Sequence, residues 1–325
     1  MKISTINGTS FQQNSGETIL DASINAGYPI NHSCRSGRCG FCKVQLLSGE
    51  TSAYRAEQLL QQDRDDNWIL SCCHTALTDI EIDAGNLTQV IIPKVCSIPC
   101  AIDAIELLSP TMLMVTLQLP LIVKFMYLAG QYVDVFTSEG LSSSYWLSKA
   151  SVEQQKIELH IAHNELDPMH QYWFLQAKVK DLLKLEGPKG THFLRDTAHR
   201  DLFFLAFGAG IAAITAMLEA HANLAKDKQA ASITVIWQGQ QPEDFYFDVA
   251  QMDSDIRFIR TLSSACPAWS GQLGEAQDVM LGMQPQMHNA DVYATGPAFK
   301  LEHAQKVLSQ HALNPRRFFS QATCE

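Results

Sequence analysis

The sequence predicts a multidomain protein that mixes the α+β and α/β classes. A small mixed unit comes first, an antiparallel β-barrel second and a parallel α/β sheet third. Three observations predict this order. Cysteines gather at fixed spacing near the start, at Cys34, Cys39, Cys42 and Cys72. Short apolar segments separated by turn residues fill the middle of the chain. Beyond residue 199, apolar strands alternate with helical stretches. The 325 residues leave room for three such units, with boundaries expected at 1–92, 93–198 and 199–325.

The first unit starts with Lys2-Ile3-Ser4-Thr5-Ile6 and Thr9-Ser10-Phe11-Gln12. They flank Asn7-Gly8, a strong two-residue hairpin signal. Glu17 to Ala26 reads as an amphipathic helix closed by Gly27. The run from His32 to Cys42 follows. Cys42 to Leu47 then alternates like a strand, Ala56 to Gln62 reads as a second helix, and Ile80-Glu81-Ile82 as a last strand. The cysteine run is C-x4-C-x2-C, with Cys72 following after 29 intervening residues. That spacing is the signature of a plant-type [2Fe–2S] centre held by four thiolates. Gly37 and Gly40 let the loop turn sharply and bring N–H groups close to the cluster sulfurs. A zinc site is the competing reading, but its cysteines usually come as two short C-x2-C knuckles. The fourth ligand is Cys72 or its neighbour Cys73. The register of Asn67 to Cys72 against Asp79 to Ile82 favours Cys72.

The second unit is entered through a linker punctuated by Pro93 and Pro99. Cys96 and Cys100 lie beside it and read as packing cysteines. Strands are expected at Ala101–Leu107, Met112–Leu119, Gln131–Phe136 and Ile157–Ala162, with one helix over Met169–Ala177. Such short, evenly spaced strands suggest a small barrel. The third unit opens on the buried-strand run Leu202 to Phe207. Gly208-Ala209-Gly210 and a helix from Ile211 to Leu224 follow. Further strands are expected at Ser232–Trp237, Arg257–Leu262 and Asp291–Thr295. A glycine turn between first strand and first helix sets a helix N-terminus where a nucleotide phosphate can sit. No acidic residue ends the next strand, where Gln238 stands, so the turn reads equally as a packing feature.

Composition narrows the function classes. A net charge of -10 argues against nucleic-acid binding. Nine cysteines without a secretory leader point to a reducing, cytoplasmic setting. The most apolar run, Leu202 to Leu218, is short and glycine-broken, so no membrane span is expected. Arg35, Arg38 and Lys43 make the cysteine loop basic. This reads either as a steering patch for an acidic partner or as a solvated loop.

The order of parts resembles a known family across essentially the whole chain. In this family a plant-type β-grasp ferredoxin is fused to a ferredoxin–NADP reductase-like module, itself an FAD barrel and a pyridine-nucleotide domain. Reductase components of bacterial oxygenases share the layout. So does the CDP-6-deoxy-hexose dehydrase reductase, which Ser71-Cys72-Cys73, Ile98-Pro99-Cys100-Ala101-Ile102 and Tyr127 to Asp134 resemble most. Leu128-Ala129-Gly130-Gln131-Tyr132, Gly187-Pro188-Lys189-Gly190, Trp269-Ser270-Gly271 and Tyr293-Ala294-Thr295-Gly296 match further landmarks.

The resemblance implies an iron–sulfur oxidoreductase. Electrons would run from NAD(P)H through FAD and a [2Fe–2S] cluster to an electron-accepting protein, an oxygenase or dehydrase component. Cys34, Cys39, Cys42 and Cys72 would hold the cluster. Tyr145 would pack on flavin, Gly187, Gly190 and Thr191 would line the dinucleotide, and Gly208, Gly210 and Gly296 the nicotinamide cofactor. No catalytic side chain is assigned. Several matching positions carry other residues. The R-x-Y-S flavin segment reads Ser143-Ser144-Tyr145-Trp146, without its phosphate-binding arginine and with indole in place of a small hydroxyl. The second phosphate clamp reads Pro168-Met169-His170-Gln171. G-G-T-G-x-x-P reads Phe207 to Ala213, and the C-G pair reads Thr295-Gly296. These departures open a second reading: a flavin-free, ferredoxin-like carrier or accessory protein whose reductase body is a docking scaffold.

Overall fold

The computed structural model describes the whole chain apart from residues 33–34, 38–39, 58, 60, 86–89, 152–154, 164–167, 248–254, 284–286 and 323–325. It divides into two compact units, Met1–Ile92 and Pro93–Glu325.

The first unit holds β1 (Lys2–Thr5), β2 (Ser10–Gln12), β3 (Lys43–Ser48), β4 (Thr51–Ala53), β5 (Trp68–Leu70), β6 (His74–Ala76) and β7 (Ile80–Asp83), with α1 (Ile19–Asn25) and α2 (Gln61–Asp65). Five strands form one sheet in the order β2-β1-β7-β3-β5, while β4 and β6 pair separately. The first and last strands of the sheet, β1 and β7, run parallel, with Ile3 opposite Ile80. The hairpin forms as expected, but its loop is Ile6–Thr9 rather than two residues. Thr5 N–H donates to the Thr9 carbonyl at 2.8 Å, and Gly8 takes a φ of 81°. A capping box starts α1. The Thr18 hydroxyl accepts from the Asp21 N–H, and the Asp21 carboxylate accepts from the Thr18 N–H. Its buried face, Ile19, Leu20 and Ala22, joins Ile3, Val44, Leu70 and Ile82 in the core.

The second helix departs from expectation. It begins at Gln61, not Ala56. Among the described residues before it, Ala56, Glu57 and Leu59 are not helical, and Glu57 is held by tertiary contacts. Glu57 is almost buried, pairs with Arg64 at 3.1 Å and accepts from the Leu70 N–H at 3.4 Å.

The second unit contains a closed barrel and a parallel sheet. The barrel strands are β8 (Cys96–Ser109), β9 (Met112–Gln118), β10 (Tyr132–Phe136), β11 (Ser142–Ser151), β12 (Lys156–Ala162) and β13 (Leu182–Lys189). They close in the order β10-β11-β12-β9-β8-β13. Inward residues such as Ile102, Val115, Leu117, Val133, Leu147, Leu159 and Leu185 fill the interior. Pro99 proves to lie inside β8, opposite Lys184, so the linker ends before Cys96. The strands β11 and β13 escaped the sequence reading because serines and glycine–proline mask their alternation. The expected helix over Met169–Ala177 is a four-residue α3 (Pro168–Gln171) that widens into a π-turn, Tyr172–Gln176.

The sheet holds β14 (Asp201–Phe207), β15 (Ser232–Gly239), β16 (Arg257–Leu262), β17 (Gln272–Leu273), β18 (Ala290–Gly296) and β19 (Phe318–Ala322), with α4 (Ile211–Ala222), α5 (Ala276–Gly282) and α6 (Ala298–Gln310). All neighbours are parallel, in the order β17-β16-β15-β14-β18-β19. Strand order reverses beside β14, so the crevice between the ends of β14 and β18 is a topological switch point. At the opposite strand ends, fully buried Asp291 accepts from Arg200 at 2.7 Å and from Arg317 at 3.1 Å.

Candidate functional site

Two of the four expected cluster ligands, Cys42 and Cys72, lie within the described residues. Cys34 and Cys39 lie outside them, as does Arg38. Cys42 directly precedes β3 and Cys72 follows β5. These strands pair antiparallel, with Lys43 opposite Leu70, so the two cysteines come to one end of the sheet. The tie is reinforced by Ser71, whose N–H and hydroxyl both donate to the Cys42 carbonyl, at 3.0 and 2.9 Å. Leu20 N–H donates to the Ser71 carbonyl at 3.0 Å, which anchors the same turn to α1. Both cysteines are buried. Across the loop, Arg35, Gly37 and Gly40 take positive φ values of 52°, 80° and 72°. Buried soft donors on a tightly turned loop fit an iron–sulfur centre.

Cys73 adjoins this site in another role. Its sulfur lies 3.5 Å from that of Cys72 and approaches the Ala56 carbonyl at 3.7 Å. A Cβ on Gly37 would meet it at 2.7 Å. Burial, with Cys72 beside it, pushes the Cys73 thiol up to about 12. Cys73 thus sits as a protonated thiol beneath the loop. Among the described rim cations, Arg35 pairs with Asp21, and Lys43 with Asp63 at 2.9 Å. Cys96 and Cys100 are barrel cysteines that approach the carbonyls of Gly187 and Leu183.

On the barrel, Tyr145 and Trp146 occupy successive positions of β11, opposite Val133 and Tyr132. Tyr145 is buried within the barrel core. Its hydroxyl accepts from the Trp173 indole N–H at 2.9 Å, and the rings meet edge-on with centroids 6.1 Å apart. Trp173 comes from the π-turn, which drives it inward. Trp146 faces the other way, buried against Ala212 and Ala213 at the start of α4, with Tyr132 packed alongside. Gly187 lies tight against β10, where a Cβ would meet Val133 at 2.7 Å. Gly190 lies beneath the Tyr132 ring, at 3.0 Å by the same measure. Thr191 is buried next to it. His192 is buried too, and neither ring nitrogen has a hydrogen-bond partner. Burial, with Arg195 nearby, pushes His192 down to about 3.

At the switch point the three glycines separate. Gly208, with a φ of 55°, faces open space and lines a cavity of about 430 Å³ with Phe207, Gln238, Ser263 and Lys300. Gly210 is packed: a Cβ there would meet the Thr295 carbonyl oxygen at 2.5 Å, and the Thr295 hydroxyl donates to the Gly210 carbonyl at 2.8 Å. Gly296 is packed against Phe207, also at 2.5 Å. Gln238 knots the cavity wall. Its side chain donates to Ser263 and Glu275 and accepts from the Ala276 N–H. Lys300 pairs with Glu275 at 2.8 Å. Trp173, Glu275 and Lys300 were not singled out from sequence, whereas Gln238 stood out as the non-acidic residue near the end of β15 and Tyr132 only as part of the barrel-entry segment.

Residues 4–77 match the model of the 2Fe-2S iron-sulfur cluster binding domain. The CDP-6-deoxy-L-threo-D-glycero-4-hexulose-3-dehydrase reductase of Yersinia pestis is 31% identical over 97% of this chain and 95% of its own length. The chain belongs to the family of reductases in which a [2Fe–2S] ferredoxin domain is fused to a ferredoxin–NADP reductase-like module. Terephthalate 1,2-dioxygenase reductase component 1 of a Comamonas species is 29% identical over 93% of this chain and 91% of its own. Among solved structures, an Amycolatopsis cytochrome P450 reductase superposes with a TM-score of 0.70 at 22% identity, covering 98% of each chain. The ferredoxin reductase in carbazole 1,9a-dioxygenase gives 0.66 at 20% identity, over 99% of this chain and 97% of its own. These reductases share the fold of the whole chain. Among the described residues, no helix is long and apolar enough to cross a membrane.

Proposed function

We propose that this chain is an iron–sulfur electron-transfer oxidoreductase that delivers electrons to a protein partner, an oxygenase or dehydrase component. Cys34, Cys39, Cys42 and Cys72 would hold its [2Fe–2S] cluster. The observation that carries this reading is the union of Cys42 and Cys72 at one end of the sheet, within the segment that matches the cluster-binding domain. When bound, such a cluster supplies one-electron acceptance and release.

The chain's own residues do the rest. The Ser71 bonds fix the separation of the Cys42 and Cys72 backbones. Gly37 admits the Cys73 sulfur, which a side chain there would displace. Burial of both cysteines excludes water from the sulfur side. Upstream, the family's electrons come from NAD(P)H as hydride, and FAD divides each pair into single electrons. The barrel, residues 93–198, and the sheet, residues 199–325, occupy the places of the flavin and nucleotide domains. The open crevice beside Gly208 is the part of the nucleotide end that best retains room for a ligand. The free thiols of Cys73, Cys96, Cys100 and Cys266 accord with a reducing, cytoplasmic setting.

The test is the metal content of anaerobically purified protein. Two irons and two acid-labile sulfides per chain, with a visible spectrum bleached by dithionite, are expected from the cluster chemistry. Iron without sulfide, or zinc in its place, would overturn the proposal.

A further inference from the structure

We infer that the reductase unit has closed its flavin cradle with its own side chains, so that the chain does not bind FAD and takes electrons from a separate donor protein. The inference rests on the cluster reading above and concerns the other end of the same route.

Four observations in one place carry it. Tyr145, the residue that would lie against a flavin ring, is buried in the barrel core, and its hydroxyl is taken by the Trp173 indole N–H. Trp146 is buried against Ala212 and Ala213, in the gap between β11 and α4. The Tyr132 ring extends the same wall over Gly190, so the glycine that would admit a dinucleotide is already covered. Finally, β11 and α4 are in direct contact, with the Thr215 hydroxyl donating to the Ser148 carbonyl at 3.5 Å. These residues leave the flavin ring no exposed tyrosine face. At the phosphate end the matching arginine is absent. Ser143 sits opposite Val135 where a guanidinium would form a bidentate pair. At the second clamp, Met169 is buried and the π-turn that follows Gln171 inserts Trp173. Two cavities of this unit, about 540 Å³ beside Ser148 and Thr215 and about 430 Å³ beside Gly208, are lined by neither Tyr145 nor Trp146.

Without flavin, hydride from NAD(P)H has no acceptor on the chain that can divide it into single electrons. The donor is therefore a one-electron carrier protein, a reduced flavoprotein or ferredoxin by class. Each transfer oxidises that donor by one electron, reduces this chain by one, and passes the same electron on to the acceptor.

The experiment is a titration of the full-length, cluster-loaded chain with FAD, followed by flavin fluorescence and by flavin retained after gel filtration. The wild-type chain is expected to retain none at 50-fold excess, roughly the range where a weak site would fill. The variant S143R/W146S is expected to bind FAD at least tenfold more tightly than wild type, because it restores a cation and removes the indole. Retention of about one FAD per wild-type chain overturns the inference, as does an unchanged affinity in the folded double variant. Should that variant fail to fold, the wild-type titration decides alone. Iron and sulfide are measured on the same samples. Their absence would sink the cluster reading and leave the flavin result standing on its own.

Discussion

The cysteine loop and the flavin edge of the barrel had the same kind of task, to hold a redox group against a sheet, and they have met different ends. In the loop, the described residues keep the geometry of a cluster at two points. Ser71 ties Cys42 to Cys72, and Gly37 leaves room for the Cys73 sulfur. At the barrel edge the scaffold is equally well built, but it is built around itself. Trp173 satisfies Tyr145, Tyr132 covers Gly190, and Trp146 fills the gap beside α4. The difference teaches that a site persists in the polar groups it leaves unclaimed. A cofactor cradle whose hydrogen-bonding and packing capacity is used up internally has become core.

The comparison breaks most sharply at the cysteines. Cys72→Ala should abolish the cluster absorbance and reduce iron content more than tenfold, whereas Cys73→Ala should keep both. The opposite pattern would transfer the ligand role to Cys73. A second break separates stability from cluster chemistry. Arg200→Ala leaves the buried Asp291 carboxylate with Arg317 alone. Because Arg317 still compensates the charge, the cost should stay below the roughly 3 kcal/mol of an unpaired buried charge. Urea unfolding of the sheet should shift accordingly while iron content stays unchanged. A parallel loss of iron would show that the two units are not independent in this respect.

His192 sharpens the comparison through pH. Its folded pKa of about 3 lies below the ordinary 6.5. The unfolded chain therefore binds the proton first, and stability falls as pH drops from 6.5 towards 3. Between pH 7.5 and 5 the loss should be about 2 kcal/mol. His192→Leu should flatten that part of the profile; a slope identical to wild type would assign the acid sensitivity elsewhere. The smallest effect belongs to the cluster rim. Lys43 is partly exposed and paired with Asp63. Lys43→Ala should cost about 0.5 kcal/mol or less, declining further in salt. A larger, salt-resistant loss would mean that Lys43 packs on Trp68, 5.1 Å away, more than it pairs.

Local chemistry made much of this legible in the sequence. The cysteine spacing, the hairpin at Asn7-Gly8 and the glycine turn after β14 are all set by residues close together in the chain. The substitutions at Ser143 and Trp146 were legible as well, because they break a pattern. What took their place was not. Nothing near Trp173 announces that its indole reaches Tyr145, since the π-turn and the barrel wall meet only in the folded chain. The displaced start of α2 is a similar case. Glu57 lies outside the helix, tied to Arg64, Leu70 and His74, contacts that no local pattern announces. Pro99 reads as punctuation until β13 lies beside it.

The Asp291 cluster has a consequence for heredity. Arg200, Asp291 and Arg317 bind three strands together at the ends remote from the crevice. A sheet fastened there can tolerate changes at its other rim without coming apart. Phe207, Ala209 and Thr295 all stand on that distant rim. Lineages of this chain could therefore try new residues around the old ligand positions one at a time, each variant still folding, and each free to be kept or discarded on the strength of what it recognised.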